Sequence, residues 1–218
     1  MKLLGYIQQR KQLSDYHGKG KVVDYIMEYE IEAAKELGNF DKYLNKIVTR
    51  NDAELNIFYD YISLYRRING KSTMVNWRLD NPNLINEKNK GVITAFEKAK
   101  FAVLRLDKHL SHGAIICTDV VTKMEYILMD RALNESKLEG SFFVCTVLNM
   151  GSYIMTSGSG TPLDPSSALG KSILTLLKKH LDKLRIAKRT LNRSVISCVR
   201  EIFGFCLRSG ALKYMTVK

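Results

Sequence analysis

Residues 169–172, Leu-Gly-Lys-Ser, end in the letters that close a phosphate-binding loop, GxxxxGK[ST], where backbone amides and a lysine hold phosphate oxygens. The first glycine of that motif falls on Pro165, which has no amide hydrogen, and fewer than 50 residues follow, too few for the parallel strands of such a fold. An ordinary helix start is expected there. Asp119 with Glu135-Ser136-Lys137 spells acid…Glu-x-Lys, a set through which some nucleases hold a divalent cation on carboxylate oxygens. Glu135 to Lys137 lies between two hairpins, however, where a turn is expected. His109-x-x-His112 with Asp107 nearby supplies two imidazoles at the end of a strand, with no third or fourth ligand in view. Ser157-Gly158-Ser159-Gly160-Thr161-Pro162 has backbone amides that can ring an anion, but reads as a flexible exit from a sheet.

The four cysteines, Cys117, Cys145, Cys198 and Cys206, form no CxxC pair, which suits reduced, buried thiols in a cytoplasmic protein. No nucleophile elbow, HExxH or dinucleotide fingerprint occurs. Catalytic residues, cofactors and metal ligands are therefore not expected, and the function is expected to be non-enzymatic.

The strongest chemical signal is charge. Residues 165–218 carry twelve Lys/Arg against Asp182 and Glu201, a net +10 out of +12 for the whole chain. Ile173, Leu177, Leu181, Leu184, Ala187, Leu191, Val195, Val199 and Ile202 fall within an arc of about 120° on a helical wheel. Across the wheel stand Lys171, Lys178, Lys179, Arg185, Arg189, Arg193 and Arg200, the candidate surface for phosphates or for an acidic protein. Two readings follow. One is a protein-interaction or structural module, engaging a protein partner or a second copy, whose basic face meets an acidic surface. The alternative is nucleic-acid binding, RNA or DNA, without sequence preference. A membrane surface is not expected as a partner, since the apolar stripe of the helix lacks Trp and Phe before Phe203. Another acidic candidate partner lies in the chain itself: Asp24, Glu28, Glu32 and Glu36 recur every fourth residue along one helical flank.

These residues need elements to carry them. Val22, Ile26, Tyr29, Ala33 and Leu37 build one helical stripe stopped by Gly38, and Leu55, Phe58, Ile62 and Tyr65 a second, entered through Asn51-Asp52 and closed by Asn69-Gly70. Tyr43, Leu44, Ile47 and Val48 predict a short helix capped by Asp41. Residues 71–90 are polar and aperiodic, a long loop containing the lone Trp77, which is expected to pack beneath it. Residues 91–100 fit a helix better than a strand.

Strands are predicted at residues 101–107, at 114–121 and 124–129 joined by Thr122-Lys123, and at 141–148 and 153–157 joined through Asn149 and Gly151. The pairs Ile115-Ile116, Val120-Val121 and Phe142-Phe143 place apolar groups on both faces of the sheet, so both need cover. The expectation is an α+β fold with a helical region (1–100), a small five-stranded antiparallel sheet or SH3-like barrel (101–164) and a C-terminal basic amphipathic helix (165–218) packing on the sheet as one integrated unit. Gly204 and Gly210 are expected to interrupt that helix. No apolar run reaches the roughly 20 residues of a membrane span, and residues 1–10 contain no apolar run of export-signal length.

Overall fold

The computed structural model describes residues 29–136, 138–186 and 193–210. Helix α1 (Glu30–Leu37) ends as predicted at Gly38, whose φ of 77° is the left-handed conformation that closes a helix and whose amide donates to Ala34 O. Strands β1 (Phe40–Asp41) and β2 (Lys46–Ile47) then form a small hairpin where a helix was predicted. Asp41 does use its side chain as expected, but to hold a turn: Oδ1 accepts from the amides of Tyr43 and Leu44.

Helix α2 (Asp52–Asp60) starts at the predicted cap, Asn51, whose side chain accepts from Glu54 N, and runs on into a π-helical turn over Tyr61–Tyr65. Asn69 and Gly70, both at positive φ, turn β3 (Arg67–Ile68) into β4 (Lys71–Ser72). The predicted long loop instead begins with α3 (Thr73–Asp80), capped by Ser72 Oγ and burying Trp77 on its inner side. The asparagines that made this segment look like a loop bond to main chain: Asn76 Nδ2 donates to Ile68 O, Asn81 Nδ2 to Trp77 O and Asn89 Nδ2 to Leu84 O. Helix α4 (Lys90–Glu97) follows as predicted.

Five strands come next: β5 (Lys100–His109), β6 (Ala114–Asp119), β7 (Glu125–Met129), β8 (Phe142–Asn149) and β9 (Ile154–Leu163), with α5 (Arg131–Glu135) between β7 and β8. The expected antiparallel sheet or SH3-like barrel is corrected here. The sheet is mixed and bonded in a ring, β5-β6-β7-β9-β8, and is not a barrel. Four of its contacts are antiparallel ladders, whereas the ring closes through one parallel bridge, Leu128 to Ile154. The predicted flexible exit over 157–162 is in fact part of β9, with Ser157-Gly158-Ser159 swelling out where the register with β8 shifts.

The doubled apolar pairs do not all serve both faces of the sheet: Ile115 joins an inner cluster while Ile116 is only half-buried, and Val120 and Val121, just beyond β6, lie together in the large core. Along β5, Phe101 and Val103 join the large core under the helices, while Ala102, Leu104 and Leu106 join a second cluster within the ring. Phe142 and Phe143 divide the same way. The second cluster is covered by the ring itself and by Leu133 of α5. Each such large apolar side chain taken from water contributes about 1.5–3 kcal/mol.

The C-terminal segment is two helices, α6 (Ala168–Ile186) and α7 (Arg193–Ser209), packed on each other. Helix α7 lies against α1 and α2 and reaches the sheet through Phe203, whose ring is 6.2 Å from that of Phe101. Gly204 does not interrupt α7. A Cβ at that position would stand 2.9 Å from Leu37 O, so the glycine is what lets the end of α1 approach.

Candidate functional site

The two C-terminal helices divide by side as an amphipathic pattern requires. Ile173, Leu177 and Leu184 of α6 and Val195, Cys198, Val199, Ile202 and Phe203 of α7 are buried. Lys171, Lys178 and Lys179 on α6 and Arg193 and Arg200 on α7 are exposed. Arg185 belongs to α6, but its side chain lies outside what is described, and Arg189 falls wholly outside the described residues. Residues seven apart on a helix, such as Lys171 and Lys178 or Arg193 and Arg200, repeat about every 10.5 Å along one edge.

Within this basic face Lys179 Nζ donates to Glu201 Oε2 at 2.9 Å, and His180 Nε2 lies 3.2 Å from the same oxygen. Lys179 first, then His180, hold the Glu201 carboxyl below its ordinary range. Among the described residues, Lys178, Arg193 and Arg200 form no ion pair.

The acidic flank of α1 is occupied from elsewhere. Arg66 donates from Nη2 to Glu32 at 2.5 Å and from Nε to Glu36 at 3.2 Å, and Tyr61 OH donates to Glu36 at 2.6 Å. Asp24 and Glu28 lie outside the described residues. The chain's own carboxylate stripe is thus tied to α2 and its π turn. The contact of α7 with α1 is made at the other end, where Arg208 Nη1 donates to Leu37 O at 2.5 Å.

The remaining motif residues serve local structure. Gly170 N donates to Ser167 Oγ and Ser172 Oγ to Ala168 O, the bonds of an ordinary helix start. Asp119 Oδ1 accepts from the amides of Val121 and Thr122 and so holds the β6–β7 turn, while Glu135 pairs with Arg131. Lys137 lies outside the described residues. His109 Nδ1 is 3.1 Å from the side-chain amide of Asn134, His112 stands in a turn at φ 60°, and Asp107 is engaged by Thr118 and Arg105. Among the described residues no three His, Cys, Asp or Glu side chains converge as a metal site. All four cysteines are buried, and burial pushes the thiols of Cys117, Cys198 and Cys206 up to about 12. Trp77 is 3% exposed and is a packing residue.

One polar cluster is legible only in three dimensions. Asp60, at the end of α2 and 4% exposed, accepts at Oδ2 from Ser157 Oγ at 2.5 Å and from Ser159 Oγ, both on the swelling of β9. Thr146 adds a further hydroxyl, itself 2.9 Å from the Tyr65 hydroxyl. Burial raises the Asp60 carboxyl to about 6, and the hydroxyls of Ser157, Ser159 and Thr146 pull against that rise. The sequence carries a trace of this, a lone acid inside the apolar run of residues 57–65. The cluster fastens helix to sheet, and the exposed basic side of α6 and α7 remains the candidate site.

A family model described as a family of unknown function (DUF7986) matches residues 2–198. No curated protein and no solved structure matches the chain. Among the described residues no helix is long and apolar enough to cross a membrane.

Proposed function

We propose that this chain, which belongs to the family of unknown function DUF7986, serves as a non-enzymatic interaction module: a small β core under a helical cover, whose C-terminal helices present a basic face to an acidic surface on a partner protein. One observation carries this reading. The apolar sides of α6 and α7 are spent inside the fold, while Lys171, Lys178, Lys179, Arg193 and Arg200 stand in solvent on the other side. Long-range attraction from such a face speeds encounter with an oppositely charged partner and orients it.

Nucleic-acid binding without sequence preference is the second reading, because the same row of cations suits a phosphate backbone. Asp182 and Glu201 favour the first. Asp182 is exposed on α6 beside the basic residues, and Glu201 joins Lys179 within the face. Carboxylates there repel phosphates but find cationic partners on a protein of mixed charge.

The test compares the native chain with the Lys171→Ala, Lys178→Ala, Arg193→Ala triple variant, by fluorescence anisotropy against labelled polyglutamate, single-stranded RNA and duplex DNA. Polyglutamate binding at 50 mM salt that falls at least tenfold in the variant, with an unchanged melting temperature, is the expected result. Tighter binding to RNA or DNA, with log K falling about 0.7–0.9 per tenfold in salt for each phosphate neutralised, transfers the conclusion to nucleic acid. Binding to none of the three, or binding that ignores the substitutions, removes the basic face as the working surface.

A further inference from the structure

The largest departure from ordinary surface chemistry lies on the β1–β2 hairpin. Tyr43 is 100% exposed and Leu44 61%, side by side at the tip, with Val48 at 37% just after β2. Large apolar groups at a convex tip lose the burial they gain elsewhere in a fold, and here the tip is held rigid. The Tyr43 and Leu44 amides both donate to Asp41 Oδ1 at 2.9 and 3.0 Å, and Asn45 takes a positive φ of 47° to complete the turn. The main chain that carries the two side chains is therefore fixed, and less backbone ordering is required when they dock.

Lysines outnumber carboxylates around the tip among the described residues. Lys42 and Lys46 flank Tyr43 and Leu44 and are exposed, and Lys35 sits with its ammonium 5.2 Å from the Phe40 ring. Arg208 and Arg50, the latter paired with Glu54 at 2.8 Å, line the cleft of about 290 Å³ beside Phe40 and Val48. The hairpin's own carboxylate, Asp41, is turned onto its own amides.

We propose that the β1–β2 hairpin tip is a docking site for an anionic lipid surface, Tyr43 and Leu44 entering the interface and Lys42 and Lys46 meeting the headgroups. Shape selects lipid over protein. A fully exposed convex tip needs a matching pocket on a protein, whereas a bilayer interface admits it without one. Tyrosine suits the headgroup level, with its ring toward the acyl chains and its hydroxyl in water. Apolar insertion and lysine attraction supply the two signals that stable peripheral binding requires. This surface is separate from the basic face of α6 and α7, and the two fail independently.

Co-flotation with vesicles of phosphatidylcholine alone and of phosphatidylcholine with 30% phosphatidylserine tests the inference. The native chain is expected to float only with the anionic vesicles. Tyr43→Ser with Leu44→Ser is expected to weaken this at least tenfold without changing the melting temperature, since neither side chain is buried. The Lys171, Lys178, Arg193 triple variant is expected to keep floating. Tyr43→Trp is expected to add an emission component that shifts to the blue with anionic vesicles while buried Trp77 stays constant. No flotation, flotation lost with the helix variant and kept by the hairpin variant, or no blue shift each overturns the proposal. So does a hairpin variant that loses polyglutamate binding but floats normally, because the tip would then serve a protein.

Discussion

Replacing Asp60 by Asn should stabilise the protein at neutral pH, and by an amount that grows with pH. Asp60 is buried at the end of α2, and among the described residues no cation pairs with it; its named partners are the hydroxyls of Ser157, Ser159 and Thr146. Its carboxyl titrates near 6 in the folded chain against 3.8 ordinarily. Between those values the folded protein keeps a proton that the unfolded chain releases. The contribution to stability is therefore fully present below about pH 4 and lost as the pH rises through about 6. A difference of roughly two pH units corresponds to about 3 kcal/mol at pH 7, an upper figure because the surroundings relax around a buried charge. Asn keeps an oxygen to accept from the serines, and its amide can donate to a hydroxyl turned the other way. Urea unfolding followed by Trp77 fluorescence from pH 4 to pH 8, for both proteins, isolates the effect from every other titrating group. The stability of Asp60→Asn relative to the native chain should rise across that range by about 2–3 kcal/mol, or roughly 4–12 °C in Tm for a chain of this size. An offset already present at pH 4 would reflect the fit of the amide; a difference of the same size at pH 4 and pH 7 would refute the reasoning.

Two further outcomes follow from packing. Gly204→Ala places a Cβ 2.9 Å from Leu37 O and 2.8 Å from Arg208 Nη1, and should cost about 1–3 kcal/mol; Gly91→Ala, in a helix with open space around it, should instead add about 0.5–1 kcal/mol, so equal melting temperatures for the pair would contradict the close approach of α1 and α7. The thiols of Cys117, Cys198 and Cys206, buried and pushed up to about 12, should resist an aromatic disulfide reagent in the native protein and react once denaturant is added; a thiol titrated within seconds in the native state would show an open path to it.

Local signals identify several of the residues that start and stop elements, and the apolar side of the longer helices. Asn51 as a cap, Gly38 as a stop, the strand at residues 101–107 and the pair Phe142-Phe143 are signals between near neighbours, and they appear in the structure at those positions. The exposure of Lys171, Lys178, Lys179, Arg193 and Arg200 was legible for the same reason, because a helical wheel separates sides. The segments read wrongly are those in which one local signal has two structural uses. Asp41 accepts from following amides in a turn as readily as at a helix cap, and asparagines bond to main chain inside a helical region as readily as in a loop. Tertiary structure alone decided what lies across from each side. The parallel bridge of Leu128 and Ile154 joins strands that no turn connects, Arg66 rather than the basic helices takes the carboxylates of α1, Gly204 continues a helix because Leu37 O needs its space, and the serines of β9 turn to Asp60. Periodicity states the direction in which a side chain leaves the backbone; the partner it meets there depends on contacts between residues far apart in the chain, which no local spacing encodes.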